Sequence, residues 1–231
     1  MATSGGKNAT LKGAHDGMMA DLATMRADYA AGRLTEADLL ADPIAQFERW
    51  FEDARRAEVH EPNAMTLATV GSDGQPAARV VLLRSVDGRG LTFFTNLTSR
   101  KSRELEANAK AALVFWWGPL ARQVRFEGTV EPVEAAEADA YFASRPRGSQ
   151  IGAWASPQSS VLPSRDALDA AVQSYSERFA AARVPRPEFW GGLRLVPVRV
   201  EFWQGQRDRL HDRLCYRKRA DGNWHIERLA P

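Results

Sequence analysis

The sequence predicts a mainly antiparallel β-barrel decorated by helices. Three observations carry that expectation. The apolar period changes from helical to extended after Pro62; short extended segments then follow one another with turn residues between them; and no internal repeat or linker divides the chain. With 231 residues, 44% hydrophobic and 26% charged, the chain can bury a sizeable core, and global disorder is excluded. Residues 1–15 carry Gly5, Gly6 and Gly13 with no apolar period, which predicts a disordered arm ahead of a single domain over 16–231.

The elements follow in order. Met18, Leu22 and Met25 near one face predict a short helix over Asp16–Ala31, stopped by Gly32. Asp42 is a good N-cap and Pro43 suits the first helical position. Ile44, Phe47, Trp50, Phe51 and Ala54 then recur at helical spacing. Ala64–Val70 and Gln75–Arg84 read as strands around the turn at 71–74, and Leu91–Thr95 follows the turn at 87–90. Thr98 is expected to cap a helix over Ser99–Asn108. Ala111–Trp117 and Arg122–Val130 read as strands around Gly118-Pro119. Val133–Ser144 reads as a helix that stops before Pro146, because a residue preceding proline avoids the helical basin. A longer helix over Ser164–Ala182 precedes strands at Leu193–Trp203, Leu210–Arg219 and Asn223–Arg228.

Composition narrows the chemistry. Thirty-one Lys and Arg against 29 Asp and Glu leave a net charge of +2, too little for a general polyanion binder. One cysteine, Cys215, allows no intrachain disulfide and no thiolate cluster. Together with a polar N-terminus and no apolar run long enough to span a bilayer, it points to a cytoplasmic protein without membrane attachment. The four histidines show no ligand spacing, so no metal site is expected. A dinucleotide-binding glycine fingerprint, a P-loop and a nucleophile elbow are all missing.

Three clusters invite ligands. Thr98-Ser-Arg-Lys-Ser102 opens a helix, where free N–H groups and the helix dipole favour an anion; two cations and two serine hydroxyls there suit a phosphate monoester. The alternative is a solvated helix start. Arg207, Arg209, His211 and Arg213 would share one face if 207–213 were extended, which an anionic or electron-rich ligand would stabilise. A charge-protected edge strand is the plainer reading. Tyr141, Arg145 and Ser149 stand at four-residue intervals and could form a second phosphate site, although on spacing alone a surface helix end is the better account. Among the tryptophans, only Trp203 stands out as a stacking platform. A nucleic-acid surface is disfavoured, because Asp208 and Asp212 interrupt the basic run.

The segments Arg79-Val-Val-Leu-Leu-Arg84, Phe94-Thr-Asn96, Ser99-Arg-Lys101, Arg122-Gln-Val124, Ser144-Arg-Pro-Arg147, Ser149-Gln-Ile-Gly-Ala-Trp154, Gln158-Ser159, Phe189-Trp-Gly-Gly192, Glu201-Phe-Trp-Gln-Gly205, Arg209-Leu-His-Asp-Arg213 and Glu227-Arg-Leu-Ala-Pro231 stand in order. Together they resemble the pyridoxine/pyridoxamine 5′-phosphate oxidase family from about residue 18 to the C-terminus. The resemblance implies an FMN-binding split β-barrel, a homodimer with FMN at the subunit interface. It implies oxidation of pyridoxine 5′-phosphate and pyridoxamine 5′-phosphate to pyridoxal 5′-phosphate, with O2 as acceptor and H2O2 as by-product. FMN would be held by Arg79, Val80, Val81, Leu82, Leu83, Arg84, Phe94, Thr95, Arg100, Lys101, Gln123, Gln158, Ser159, Trp203 and Arg213. Substrate would be held by Arg84, Tyr141, Arg145 and Ser149 at its phosphate, and by Arg209, Leu210, His211, Arg26 and Tyr29 around its ring, with Arg209 and His211 the catalytic pair. The family usually has lysine where Arg84 stands. Flavin reductases of the same superfamily and a non-catalytic flavin or pyridoxal-phosphate carrier remain as rivals, and neither needs the Arg209–Arg213 motif.

Overall fold

A 15-residue strand, Trp190–Gln204, is the spine of the molecule and decides where everything else sits. The computed structural model describes Tyr29 and residues 32–231; the expected arm over 1–15, Arg26 and nearly all of the helix expected over 16–31 lie outside the described residues. Chain order from there is α1 (Pro43–Arg56), β1 (Ala64–Val70), β2 (Pro76–Leu82), β3 (Ser85–Asp87), β4 (Gly90–Asn96), α2 (Arg100–Ala107), β5 (Lys110–Trp117) and β6 (Arg122–Pro132). Helices α3 (Ala135–Ser144), α4 (Arg147–Ala155) and α5 (Arg165–Arg178) follow, then the spine β7 (Trp190–Gln204), β8 (Asp212–Lys218) and β9 (Trp224–Arg228).

The strands form one antiparallel sheet in the order β2-β1-β5-β6-β7-β4-β3, with β8 and β9 added beside β7. One side of β7 pairs with β6 from Leu193 to Gln204. On its other side, Trp190–Leu195 pairs with β4 and Arg199–Gln204 with β8, so the sheet splits along this strand. The expected strand Gln75–Arg84 is interrupted because the chain changes partner: Leu83 N–H donates to Asn63 O at 2.8 Å, and Arg84 N–H to Thr92 O of β4 at 2.9 Å. That switch ties one edge of the sheet to the other and curls it.

Helix α1 plugs the barrel. Asp42 accepts hydrogen bonds from Ile44 N and Ala45 N, as its N-cap position requires. Phe47 and Trp50 are buried against Phe115, Phe126 and Phe202, with ring centroids 4.9–5.1 Å apart. Each such aromatic pair adds roughly 0.5–1.5 kcal/mol beyond its buried area. A smaller core of Phe142, Ile151, Phe179, Val184 and Trp190 lies under α3–α5.

Helix α4 departs from the sequence expectation, which assigned nothing over its span. Gly148 and Gly152 lower its intrinsic propensity, and tertiary contacts override them. Ile151 and Ala155 are buried, Gln150 Nε2 donates to Phe142 O at 2.9 Å, and Arg147 reaches Phe179 O and Ala182 O. Helix α5 stops at Arg178, short of the expected Ala182. Among the described residues no helix is long and apolar enough to cross a membrane, and no group of His, Cys, Asp and Glu could hold a metal ion.

Candidate active site

The residues singled out in the sequence gather at two ends of β7. At the first end a cavity of about 520 Å³ is lined by Arg79, Val80, Val81, Leu82, Arg84, Phe94, Thr95, Arg100, Lys101, Gln158 and Ser159. Leu83 is buried in the core and is not part of that lining.

Three of the four cations of this cavity, Arg79, Arg100 and Lys101, are held by side-chain hydrogen bonds within the chain. Lys101 is 9% exposed and donates to Ser99 Oγ at 2.9 Å and Gln158 Oε1 at 2.8 Å, both neutral oxygens. Burial, then the charge of Arg79, lowers its pKa to about 8. Arg79 donates to Thr69 Oγ1 at 2.5 Å and Glu104 Oε2 at 2.9 Å, and Arg100 donates to Glu104 Oε1 at 2.7 Å. Burial pushes the Glu104 carboxyl up, but hydrogen bonds from Thr69, Arg100 and Arg79 outweigh it and hold the pKa below the usual carboxylate value.

The two serines at the helix start behave differently from the expectation. Ser102 donates to Asn96 O at 2.9 Å, which leaves Ser99 to donate to Ser102 Oγ at 3.2 Å while accepting from Lys101. Both hydroxyl protons are engaged, so the serines orient Lys101 and do not offer themselves to an anion. Thr98 is not the cap: its hydroxyl donates to Asn96 Oδ1, and Ser99 is the N-cap, without a side-chain cap bond of its own.

Beside the cavity, Phe94 stacks on Tyr141 (4.0 Å, 17°) and lies parallel to Trp190 (5.5 Å, 9°). Gly192 makes room for this stack, since a Cβ there would come within 2.7 Å of the Phe94 ring. Arg145 takes an extended backbone after α3, as the following Pro146 dictates, and lays its guanidinium 4.7 Å from the Trp190 ring centre. Its Nη1 is buried with no hydrogen-bond partner among the described residues. Burial lowers its pKa, and the Arg84 charge adds to that against a pull from Tyr141. Tyr141 and Arg145 therefore meet on one aromatic stack, although the helical spacing that suggested them is broken. Ser149 sits exposed in the first turn of the next helix.

At the other end, Gln123, Trp203 and Arg213 are register neighbours across β6, β7 and β8. His211 packs 4.5 Å from the Trp203 ring, and Tyr29 meets both. The Gln206 backbone N–H donates to His211 Nδ1 at 3.0 Å, so the ring proton sits on Nε2. Burial, then Arg209, lowers the His211 pKa, which keeps the ring neutral near pH 7. Arg213 donates to the buried Glu201 at 2.8 Å and to Ala230 O at 2.9 Å.

The expectation that Arg207, Arg209, His211 and Arg213 share one face of a strand is corrected here. Arg207–Arg209 form a 3-10 turn in which Asp208 (φ 55°) and Arg209 (φ 63°) adopt left-handed backbone, and β8 begins only at Asp212. Two such residues end the alternation and cost about 1–2 kcal/mol each. Asp212 anchors the turn by accepting from Leu34 N, Gln206 Nε2 and Arg228 Nη1. Arg209 and Leu210 are exposed beyond it.

Sequence reasoning passed over two residues at these ends. Trp116, passed over in favour of Trp203 alone as a stacking platform, is half exposed with its ring 5.9 Å from Trp203. Glu104 was legible only as the carboxylate four positions after Arg100 on a helix.

A curled antiparallel barrel split along β7, with a cationic cavity at its closure, defines a split-barrel protein of the pyridoxamine-phosphate-oxidase type. Solved structures agree: PhzG from Burkholderia lata 383, in complex with tetrahydrophenazine-1-carboxylic acid, superposes with a TM-score of 0.82 at 35% identity over 87% of this chain and all of that one. A pyridoxamine 5′-phosphate oxidase-related, FMN-binding protein from Nostoc punctiforme shares the fold at a TM-score of 0.67, 18% identity, over 84% of this chain and all of that one. Residues 51–179 match the pyridoxamine 5′-phosphate oxidase family model, and 190–231 match the pyridoxine 5′-phosphate oxidase C-terminal dimerisation region. Pyridoxine/pyridoxamine 5′-phosphate oxidases from Cupriavidus pinatubonensis and Thermosynechococcus vestitus are 56% and 58% identical over 92% of this chain and their whole length. The chain belongs to the pyridoxine/pyridoxamine 5′-phosphate oxidase family and is an oxidoreductase.

Proposed function

We propose that the chain oxidises the C4′ carbon of pyridoxine 5′-phosphate and pyridoxamine 5′-phosphate, with FMN held where two copies of the chain meet. The buried Nη1 of Arg145, unpartnered among the described residues, carries this reading. An orphaned guanidinium nitrogen beside Arg84, on the aromatic stack that borders a second cationic cavity, fits two phosphorylated aromatic molecules in adjoining sites.

FMN fits the first end. Lys101, Arg79 and Arg100 would hold its phosphate, while residues 79–84, Phe94, Thr95, Gln158 and Ser159 line the remainder of its bed. Gln123, Trp203 and Arg213 cannot join them within one chain. Phe94 pairs with Gly192 and Gln123 with Trp203, eleven positions further along β7, about 35 Å of strand and more than an extended FMN spans. A two-fold dimer removes the difficulty, because each copy then offers its second end to the other's first. The match of 190–231 to a dimerisation region supports that arrangement.

The chemistry supplied by the bound flavin is acceptance of a hydride equivalent from C4′ and its delivery to O2, giving H2O2. The chain's residues position the substrate. Arg84, Tyr141, Arg145 and Ser149 hold its phosphate, and Arg209, Leu210 and His211, joined by Tyr29, enclose its ring. His211, neutral with its proton on Nε2, offers a hydrogen-bond donor, and Arg209 supplies positive charge where electron density shifts during oxidation. PhzG binds a ligand without phosphate; the Arg84–Arg145 pair favours a phosphorylated substrate here.

Anaerobic titration of the FMN-loaded protein tests the reading. Bleaching of the flavin by either substrate, with colour returning on admission of air, is the expected result. Full FMN occupancy with no bleaching by either substrate contradicts it and leaves a carrier.

A further inference from the structure

Glu104 lies on none of the surfaces that ligands are proposed to touch, yet it joins two of the three cations assigned to the FMN phosphate. It is 7% exposed. Its Oε2 accepts from the Thr69 hydroxyl at 2.6 Å and from Arg79 Nη2 at 2.9 Å, and its Oε1 accepts from Arg100 Nε at 2.7 Å. The donors come from three elements: Thr69 from β1, Arg79 from β2 and Arg100 from the first turn of α2. Each carboxylate oxygen thus ties one arginine, and the Thr69 hydroxyl also accepts from Arg79 Nη1.

Resting on the assignment of the FMN phosphate to this cavity, we propose that Glu104 is a positioning residue of the phosphate site, fixing Arg79 and Arg100 so that they act together with Lys101. Charge supports the assignment. Arg79, Arg100 and Lys101 crowd one corner, and without a counter-ion they repel one another. With Glu104 the cluster carries two net positive charges, which a phosphate monoester of about −1.5 to −2 matches. The economy of stability points the same way. An apolar replacement of a buried ion pair is often neutral or stabilising, so a buried carboxylate retained beneath a cationic cavity is better explained by the geometry it imposes than by the stability it adds. Among the described residues Lys101 has no carboxylate partner; its ammonium rests on the neutral Ser99 and Gln158 oxygens and stays available to the anion.

Glu104→Gln is the informative variant. Shape and one acceptor oxygen survive, but an NH2 replaces one carboxylate oxygen and faces a donor, so one arginine is released whichever way the amide turns. The full-length protein, stripped of flavin, is titrated with FMN and with riboflavin, following quenching of flavin fluorescence. Riboflavin lacks the phosphate and so reports any general damage to the barrel or ring bed. The wild type is expected to prefer FMN strongly and Lys101→Ala to lose that preference. Glu104→Gln is expected to weaken FMN by at least about tenfold, the worth of one charged hydrogen bond, with riboflavin affinity kept within about twofold. Unchanged or tighter FMN binding by Glu104→Gln, or equal loss of both flavins, overturns the role of Glu104 while the phosphate assignment stands. A wild type that does not distinguish the flavins, or a Lys101→Ala variant that binds FMN normally, overturns the phosphate assignment itself and Glu104's role with it. If Glu104→Gln does not fold, Thr69→Val decides: it removes the hydroxyl shared by Glu104 and Arg79, and a loss of about threefold for FMN alone is expected from one modest hydrogen bond. Unaltered FMN binding by that variant overturns the proposal.

Discussion

The two ends of β7 are built on different principles. At the Phe94 end, walls from several elements of one chain enclose a cavity, and three of its four cations are braced, Lys101 by Ser99 and Gln158 and both Arg79 and Arg100 by Glu104, while Arg84 stays exposed and Arg145 lies beside the cavity against the Trp190 ring. At the Trp203 end, Arg209 and Leu210 stand in solvent on a left-handed turn, and the aromatic surface of Trp116 is half exposed. The first end is organised for binding before any ligand arrives. The second is left open to solvent, and in the proposed function its strained turn would carry Arg209 to the reacting carbon, a role in chemistry more than in affinity.

That contrast can be broken most forcefully at Arg209. Arg209→Ala is expected to lower kcat by about 10²-fold or more, the scale of losing a charge aimed at the transition state, with FMN content unchanged. Flavin absorbance and single-turnover bleaching check both halves; loss of FMN would place Arg209 with the binding end. Arg145→Ala is the counterpart at the other end. It is expected to cost about 10- to 100-fold in kcat/KM, mostly through KM, because one charged hydrogen-bonding group to the substrate phosphate is lost. A fall in kcat at unchanged KM contradicts that role.

A milder test uses pH. The Lys101 pKa of about 8 reflects burial first and Arg79 second, opposed by Glu104; its hydrogen-bond partners Ser99 and Gln158 do not titrate. A phosphate dianion prefers the protonated ammonium. FMN affinity is therefore expected to be full below about 8 and to fall as pH rises through it, by at most about tenfold per unit. Fluorescence titrations from neutral to alkaline pH check this, and a flat profile contradicts it. The smallest effect is expected from Arg84→Lys, which keeps the charge and loses the planar fork: a change of a few-fold in KM for either substrate, with kcat preserved. Unchanged constants for both substrates would show that the fork makes no difference.

Much of the first end was legible in the sequence because its signals are local. Asp42-Pro43 and the apolar period after it specify α1, and Ser99-Arg100-Lys101 marks a helix start where cations are otherwise mildly unfavourable. The second end was misread as an alternating strand because a left-handed Asp208-Arg209 pair is imposed by tertiary anchors, chiefly Asp212, and has no glycine to announce it. Helix α4 was missed for a related reason: Gly148 and Gly152 argue against a helix, and only the bonds from Gln150 and Arg147 to distant carbonyls outweigh them. Glu104 escaped notice because its partners Thr69 and Arg79 lie 35 and 25 positions away.

The central claim is that one functional site needs the Phe94 end of one chain and the Trp203 end of another. The most direct measurement mixes two impaired variants, Arg145→Ala and Arg209→Ala, co-expressed in equal amounts so that their subunits assort, and assays them at substrate concentrations well below the wild-type KM, where both parents are nearly silent. Half of the dimers then carry one site with both ends intact, and activity of about a quarter of the wild type is expected. Activity no higher than that of the two parents, with mixed dimers shown to be present, would contradict the claim and place both ends of each site within a single chain.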